Sequence, residues 1–106
     1  MSDVKVSVTF RRTEPTVALK QYAEEKIHRL GKYFAQPLDA HVVLSVESKG
    51  RQSAEVELHA HGTMIHAREQ TEDLYSAIDL VTDNLKRQVR KQKDKTRLEP
   101  RRKPPE

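Results

Sequence analysis

The residues whose types and spacing best suit chemistry lie near the end of the chain. Lys86-Arg87-Gln88-Val89-Arg90-Lys91-Gln92-Lys93-Asp94-Lys95 sets six cations against one carboxylate in ten positions. At 100° per residue, Lys86, Arg90, Lys93 and Arg97 fall within about 60° of one another, and Arg87 and Lys91 form a second row further round. That is a ridge of donors for a polyanion. Cations at a helix C-terminus also complement its dipole, but the dipole acts mainly on the last turn and does not account for a run this long. The whole chain of 106 residues has 20 Lys and Arg against 16 Asp and Glu, a net of +4. Residues 1–83 carry ten basic and thirteen acidic side chains, whereas residues 84–106 carry ten and three. A mildly acidic body ending in a strongly basic segment points to a polyanionic partner, nucleic acid foremost. The aromatics, Phe10, Tyr22, Tyr33, Phe34 and Tyr75, are few and mostly on apolar faces. Shape recognition of structured RNA therefore fits better than stacking on single strands.

The histidines form a second constellation. His41, His59 and His66 fall on the polar positions of three alternating segments, with His61 two residues from His59. Imidazoles on neighbouring strands can bind zinc, but a plain polar face is the better reading, with contact of part of this face with RNA next. No metal or cofactor is expected. Catalysis is not expected either. Three scattered glycines make no phosphate loop. Glu24-Glu25, Glu55/Glu57 and Glu69/Glu72 are pairs in sequence only, and Ser45 and Ser53 have no third group or oxyanion site. There is no cysteine, hence no disulfide or thiolate site. The longest apolar runs are three residues, such as Val42–Leu44, so no membrane contact and a cytoplasmic protein are expected.

The elements that must position these residues are legible as periods. Val4, Val6, Val8 and Phe10 alternate with polar residues as a half-buried strand. Thr16 reads as the N-cap of a helix of about 15 residues with Leu19, Tyr22, Ala23, Ile27 and Leu30 on one stripe, ended by Gly31. Ala40, Val42, Leu44 and Val46, then Ala54, Val56, Leu58 and Ala60, alternate around a hairpin loop at residues 48–51, and Ile65 and Ala67 continue on a fourth strand. Pairing Val46 with Ala54 aligns Leu44 with Val56 and Val42 with Leu58. A turn at Gly62-Thr63 pairs Ala60 with Ile65 and Leu58 with Ala67, and sets Glu57 opposite Arg68. These registers pair His41 with His59 and His59 with His66. Asp73 reads as the N-cap of a last helix carrying Leu74, Ala77, Ile78, Val81, Leu85 and Val89 on one face and reaching about Lys95. The expectation is an α+β fold, β-α-β-β-β-α, with a four-stranded sheet, strands one and two parallel, and two helices packed on one face. Residues 1–95 would be one domain, and residues 96–106 a basic, Pro/Arg-rich disordered tail.

Ile65-His66-Ala67, Glu72-Asp73-Leu74-Tyr75-Ser76-Ala77-Ile78-Asp79, Leu85-Lys86-Arg87-Gln88 and Lys91-Gln92-Lys93-Asp94-Lys95 resemble the ribosome hibernation promoting factor family, also called ribosome-associated inhibitor or ribosomal-subunit interface protein. Leu30-Gly31-Lys32-Tyr33-Phe34 and Val42-Val43-Leu44-Ser45-Val46-Glu47 resemble its first helix end and second strand. The resemblance spans about residues 4–95. It implies a fold similar to double-stranded-RNA-binding domains and binding to the rRNA of the small ribosomal subunit, in the mRNA and tRNA channel. Translation would be blocked and idle ribosomes preserved under stress or in stationary phase. Carried over residue by residue, the RNA contacts are Lys86, Arg87, Arg90, Lys91, Lys93 and Lys95, with Lys26, Arg29 and Lys32 from the first helix. Asn84 and Ser76 stand where the family often has lysine and alanine, and Phe10-Arg11-Arg12 replaces a Gly-containing turn. The pattern resembles a short form, monomeric off the ribosome, of the kind that promotes ribosome pairing with a second small factor. The alternatives are a generic structured-RNA-binding protein and a protein-interaction module with an acidic partner.

Overall fold

The computed structural model describes residues 4–33, 37–60 and 62–98, the segment 91–98 as helix backbone. Strand β1 (Val4–Arg11), helix α1 (Val17–Leu30), strands β2 (Leu38–Val46), β3 (Gln52–Ala60) and β4 (Thr63–Thr71), and helix α2 (Leu74–Leu98) follow in that order. The sheet order is β1-β2-β3-β4, with β1 parallel to β2 and the other pairs antiparallel. This is the α+β topology that the alternation and the strand–helix–strand start imply. Phe34, His61 and the tail beyond Leu98 lie outside the described residues.

Each element forms for a local reason. Thr16 is extended, and its Oγ1 accepts from the Leu19 amide at 3.1 Å, satisfying one of the orphan amides of α1. Asp73 does the same for α2: its Oδ2 accepts from the Ser76 amide at 3.0 Å and from the Ser76 hydroxyl at 3.1 Å. Alternation then puts Ala40, Val42, Leu44, Ala54, Val56, Leu58, Ala60, Ile65 and Ala67 on one sheet face, all buried. Ala23, Ile27 and Leu30 of α1, and Leu74, Ala77, Ile78, Val81, Leu85 and Val89 of α2, close over that face. Ala54, Ala60 and Ala67 are small inward side chains on β3 and β4, the strands on which the larger side chains of α2 pack. The inward side chains of the edge strand β1 are only half-buried.

The structure corrects both sheet registers by two residues. Val46 pairs with Gln52, Leu44 with Ala54 and Val42 with Val56. Leu58 pairs with Ile65 and Ala60 with Thr63. The first loop is tighter than the pattern implies: residues 48–50 form a 3₁₀ turn closed by the Glu47 amide on the Arg51 carbonyl at 2.6 Å. The second turn lies between Ala60 and Thr63. Gly62 takes φ +81° in that turn, while β-branched Thr63 starts the strand. A slip of two preserves every inward side chain, so the core pattern could not detect it. The outer face is re-sorted instead, with Arg68 opposite Glu55 rather than Glu57.

Two backbone positions were not legible as such. Arg12 sits at φ +59°, the left-handed region that glycine enters freely, where the resemblance leads one to expect a glycine-containing turn. Gly31 is the reverse: its φ of −57° suits any residue, but it is buried and a Cβ there would lie 2.7 Å from Cγ2 of Val4. Gly31 therefore marks a close approach of the α1 end to β1 rather than a left-handed cap. Gly31→Ala is expected to lower stability by about 1 kcal/mol in urea denaturation, and Val4→Ala in the same chain to reduce that loss by vacating the contested space.

Candidate nucleic-acid interface

The two helices run in the same direction. Helix α1 returns between two parallel strands, β4 runs parallel to β2, and α2 returns along β4. Their contact repeats turn by turn. The Tyr22 and Tyr75 rings meet edge to face at 5.0 Å, and Lys26 Nζ lies 3.0 Å from Asp79 Oδ1, so residues 53 positions apart face each other. The same offset puts Leu30, the end of α1, level with Asp83. Tyr75, Asp79, Lys86 and Arg90 are spaced by four, seven and four residues and share one side of α2. Lys86 and Arg90 are therefore the continuation of the row that faces α1, past the point where α1 stops.

Lys86, Arg87 and Arg90 are all exposed, and none is ion-paired with a carboxylate whose side chain is described. Lys91, Lys93 and Lys95 continue along the α2 backbone, and their side chains lie outside what is described. Arg29, in the last turn of α1, and Lys32, in the 3₁₀ turn Gly31–Tyr33 that follows it, are exposed, and by the same offset Arg29 is level with Thr82. Lys26 differs: its side chain is only 27% exposed, paired with Asp79, with Nζ 5.6 Å from the Tyr22 ring centre. Helix α2 is keyed to β4 from its other side. Asn84 Nδ2 donates to Glu69 Oε2 at 2.9 Å, and Gln88 Nε2 donates to the His66 carbonyl at 3.0 Å and to Asn84 Oδ1 at 2.8 Å. These contacts set the rotation of α2, so the basic rows point away from the sheet.

The interhelix contact is the part that sequence reasoning missed. Tyr22 donates its hydroxyl to Asp79 Oδ1 at 2.6 Å across 57 residues, and nothing in either local pattern marks the pair. The hydrogen bond to Asp79, with burial and the neighbouring carboxylate charge, pushes the Tyr22 hydroxyl up to about 12. The same bond, aided by Lys26, holds the Asp79 carboxyl below its ordinary value.

The histidines do not assemble. His41 lies opposite Glu57, His59 opposite Asp39 and Met64, and His66 opposite Glu57. His66 Nε2 is 2.6 Å from Glu55 Oε2, His59 Nε2 3.4 Å from Glu57 Oε1 and His41 Nδ1 2.8 Å from Ser7 Oγ, while the His41 and His59 rings are 6.1 Å apart. Interleaved carboxylates separate the imidazoles that the sequence register paired, and no grouping fit to hold a metal occurs among the described residues.

A four-stranded sheet backed by two parallel helices, the longer carrying the exposed cations Lys86, Arg87 and Arg90, defines a small α+β domain. Residues 6–97 match the family described as sigma 54 modulation protein / S30EA ribosomal protein, and the chain belongs to that family. The ribosome hibernation promoting factor of Azotobacter vinelandii is 39% identical over 92 residues, covering 87% of this chain and 85% of the relative. The protein of the same name from Escherichia coli (strain K12) is 37% identical over 92 residues, covering 87% and 96%. The Thermus thermophilus Protein Y N-terminal domain superposes with a TM-score of 0.76 at 35% identity, covering 84% of this chain and 97% of that one. The relatives so named are hibernation factors rather than enzymes. Among the described residues, no helix is long and apolar enough to cross a membrane.

Because Asp79 titrates below its ordinary value, its contribution to stability is complete above the usual carboxylate range and is lost as pH falls through that range. Tyr22 has the opposite sign: its contribution is complete below about 10 and is lost as pH rises towards about 12. Tyr22→Phe is expected to cost about 0.5–1 kcal/mol in urea denaturation at neutral pH and to flatten the alkaline loss of stability above pH 10.

Proposed function

We propose that the protein is a ribosome hibernation factor that binds the small ribosomal subunit in the mRNA and tRNA channel, inhibits translation and preserves idle ribosomes in the cytoplasm during stress or stationary phase. The observation that carries this reading is the row of exposed cations on α2 past the end of α1, in a chain whose relatives are named for ribosome hibernation. Lys86, Arg87 and Arg90 are the central phosphate ligands, with Lys91, Lys93 and Lys95 further along the helix and Arg29 and Lys32 beside them. Phosphate contacts of this kind give affinity and register without base readout, so the shape of the site must supply the specificity. The protein is monomeric off the ribosome in this proposal, and pairing of ribosomes would involve a second small factor.

Co-sedimentation with purified small subunits tests the reading. Six to eight phosphate contacts predict that log affinity falls against log salt with a slope of about −4 to −7. Lys86→Glu with Arg90→Glu should abolish co-sedimentation while circular dichroism and melting temperature stay near those of the parent, because both side chains point away from the core. A flat salt response would refute the proposal. Equal binding to free duplex RNA would favour a generic RNA-binding protein, and a complex that survives nuclease would favour an acidic protein partner.

A further inference from the structure

We propose that Asp79 is a positioning residue of the basic surface: by holding Lys26 and Tyr22 of α1, it withdraws Lys26 from any anionic partner and leaves phosphate contact to the cations from the last turn of α1 onward. Two donors converge on one oxygen, since the Tyr22 hydroxyl lies 2.6 Å and Lys26 Nζ 3.0 Å from Asp79 Oδ1. A lone ion pair at a surface holds little, and a phosphate would compete with it readily. This one is reinforced: the Tyr22 ring flanks Lys26, and Tyr75 closes edge-on against Tyr22. The backbone beneath is fixed as well, because buried Thr82 donates to the carbonyls of Ile78 at 2.9 Å and Asp79 at 3.0 Å. Asp79 is ionised throughout the neutral range, as any ordinary aspartate is, and its two donors hold its carboxyl below the ordinary value. Asp79 and Asp83 lie on the side of α2 that carries Lys86 and Arg90 one to three turns later. Along that row the N-terminal half is anionic, with Asp79 paired to α1 and Asp83 exposed, and the C-terminal half carries the exposed cations Lys86 and Arg90. An approaching polyanion meets repulsion at the first half and attraction at the second, which fixes where along the helix it engages.

The inference rests on this face being anion-binding, not on the ribosome being the anion. The test is a double-mutant cycle read as the salt slope of binding, on small ribosomal subunits and, separately, on heparin. Lys86→Ala should lower the slope by about one. Lys26→Ala should leave it unchanged. Asp79→Asn should raise the slope by about one by releasing Lys26, and adding Lys26→Ala should remove that gain. A folding defect alone would not produce a slope change that depends on Lys26. If Asp79→Asn fails to fold, the comparison of Lys26→Ala and Lys26→Met with Lys86→Ala in the parent chain still decides. A loss of slope for Lys26→Ala equal to that for Lys86→Ala overturns the proposal. The expected pattern on heparin without binding to subunits would sink the ribosomal reading and leave this one standing. Subunit binding with a Lys26-dependent slope would do the opposite.

Discussion

Ile27 and Leu30 of α1 and Ile78, Val81 and Leu85 of α2 all have to leave water against the same sheet face, where Ala40, Val42, Leu44, Val56 and Leu58 wait. A chain that is 35% hydrophobic and 34% charged has no surplus of apolar side chains from which to build a second core. That one burial fixes both helices on one side of the sheet, pointing the same way, with their polar sides outward. Every functional statement about the molecule follows from this arrangement, because it decides which charges share a surface.

Much of the arrangement is written in local periods. Alternation from Val4 to Phe10 and from Ala40 to Val46 locates strands, and the stripe from Leu74 to Val89 locates α2, because burial has to repeat with the geometry of the backbone. The two caps are legible for the same reason, since Thr16 and Asp73 act on amides only three residues away. What distant parts of the chain do to one another is not written there. Both strand registers were offset by two, since the inner face is blind to an even slip, and the outer-face partners of His41, His59 and His66 changed with it. Gly31 ends α1, as its type suggests, but its contact with Val4, 27 residues earlier, is not written in the local pattern. The basic row was visible on a helical wheel, but its acidic continuation and the engagement of Lys26 needed the relative placement of α1 and α2.

The basic surface is therefore a matter of selection as much as of supply. Of the cations on the helical layer, Lys26 is partly exposed and paired with Asp79, while Lys86, Arg87 and Arg90 are exposed. Asn84 and Gln88 anchor the opposite side of α2 to β4, so the presented row cannot turn towards the sheet without breaking two hydrogen bonds. On the outer sheet face imidazoles and carboxylates are interleaved and Arg68 pairs with Glu47, so its described residues carry no comparable concentration of one sign.

The unequal lengths of the helices have one more effect. Val89 is the last buried side chain described on α2, yet helical backbone runs on to Leu98. Nine residues are too few to nucleate a helix alone in water, so this end persists by propagation from the packed turns before it. Like charges three and four residues apart oppose propagation, and neutralising them favours it. An anion laid along Arg90 and the residues after it would therefore strengthen the very helix that receives it, coupling the order of the helix end to occupancy of the site.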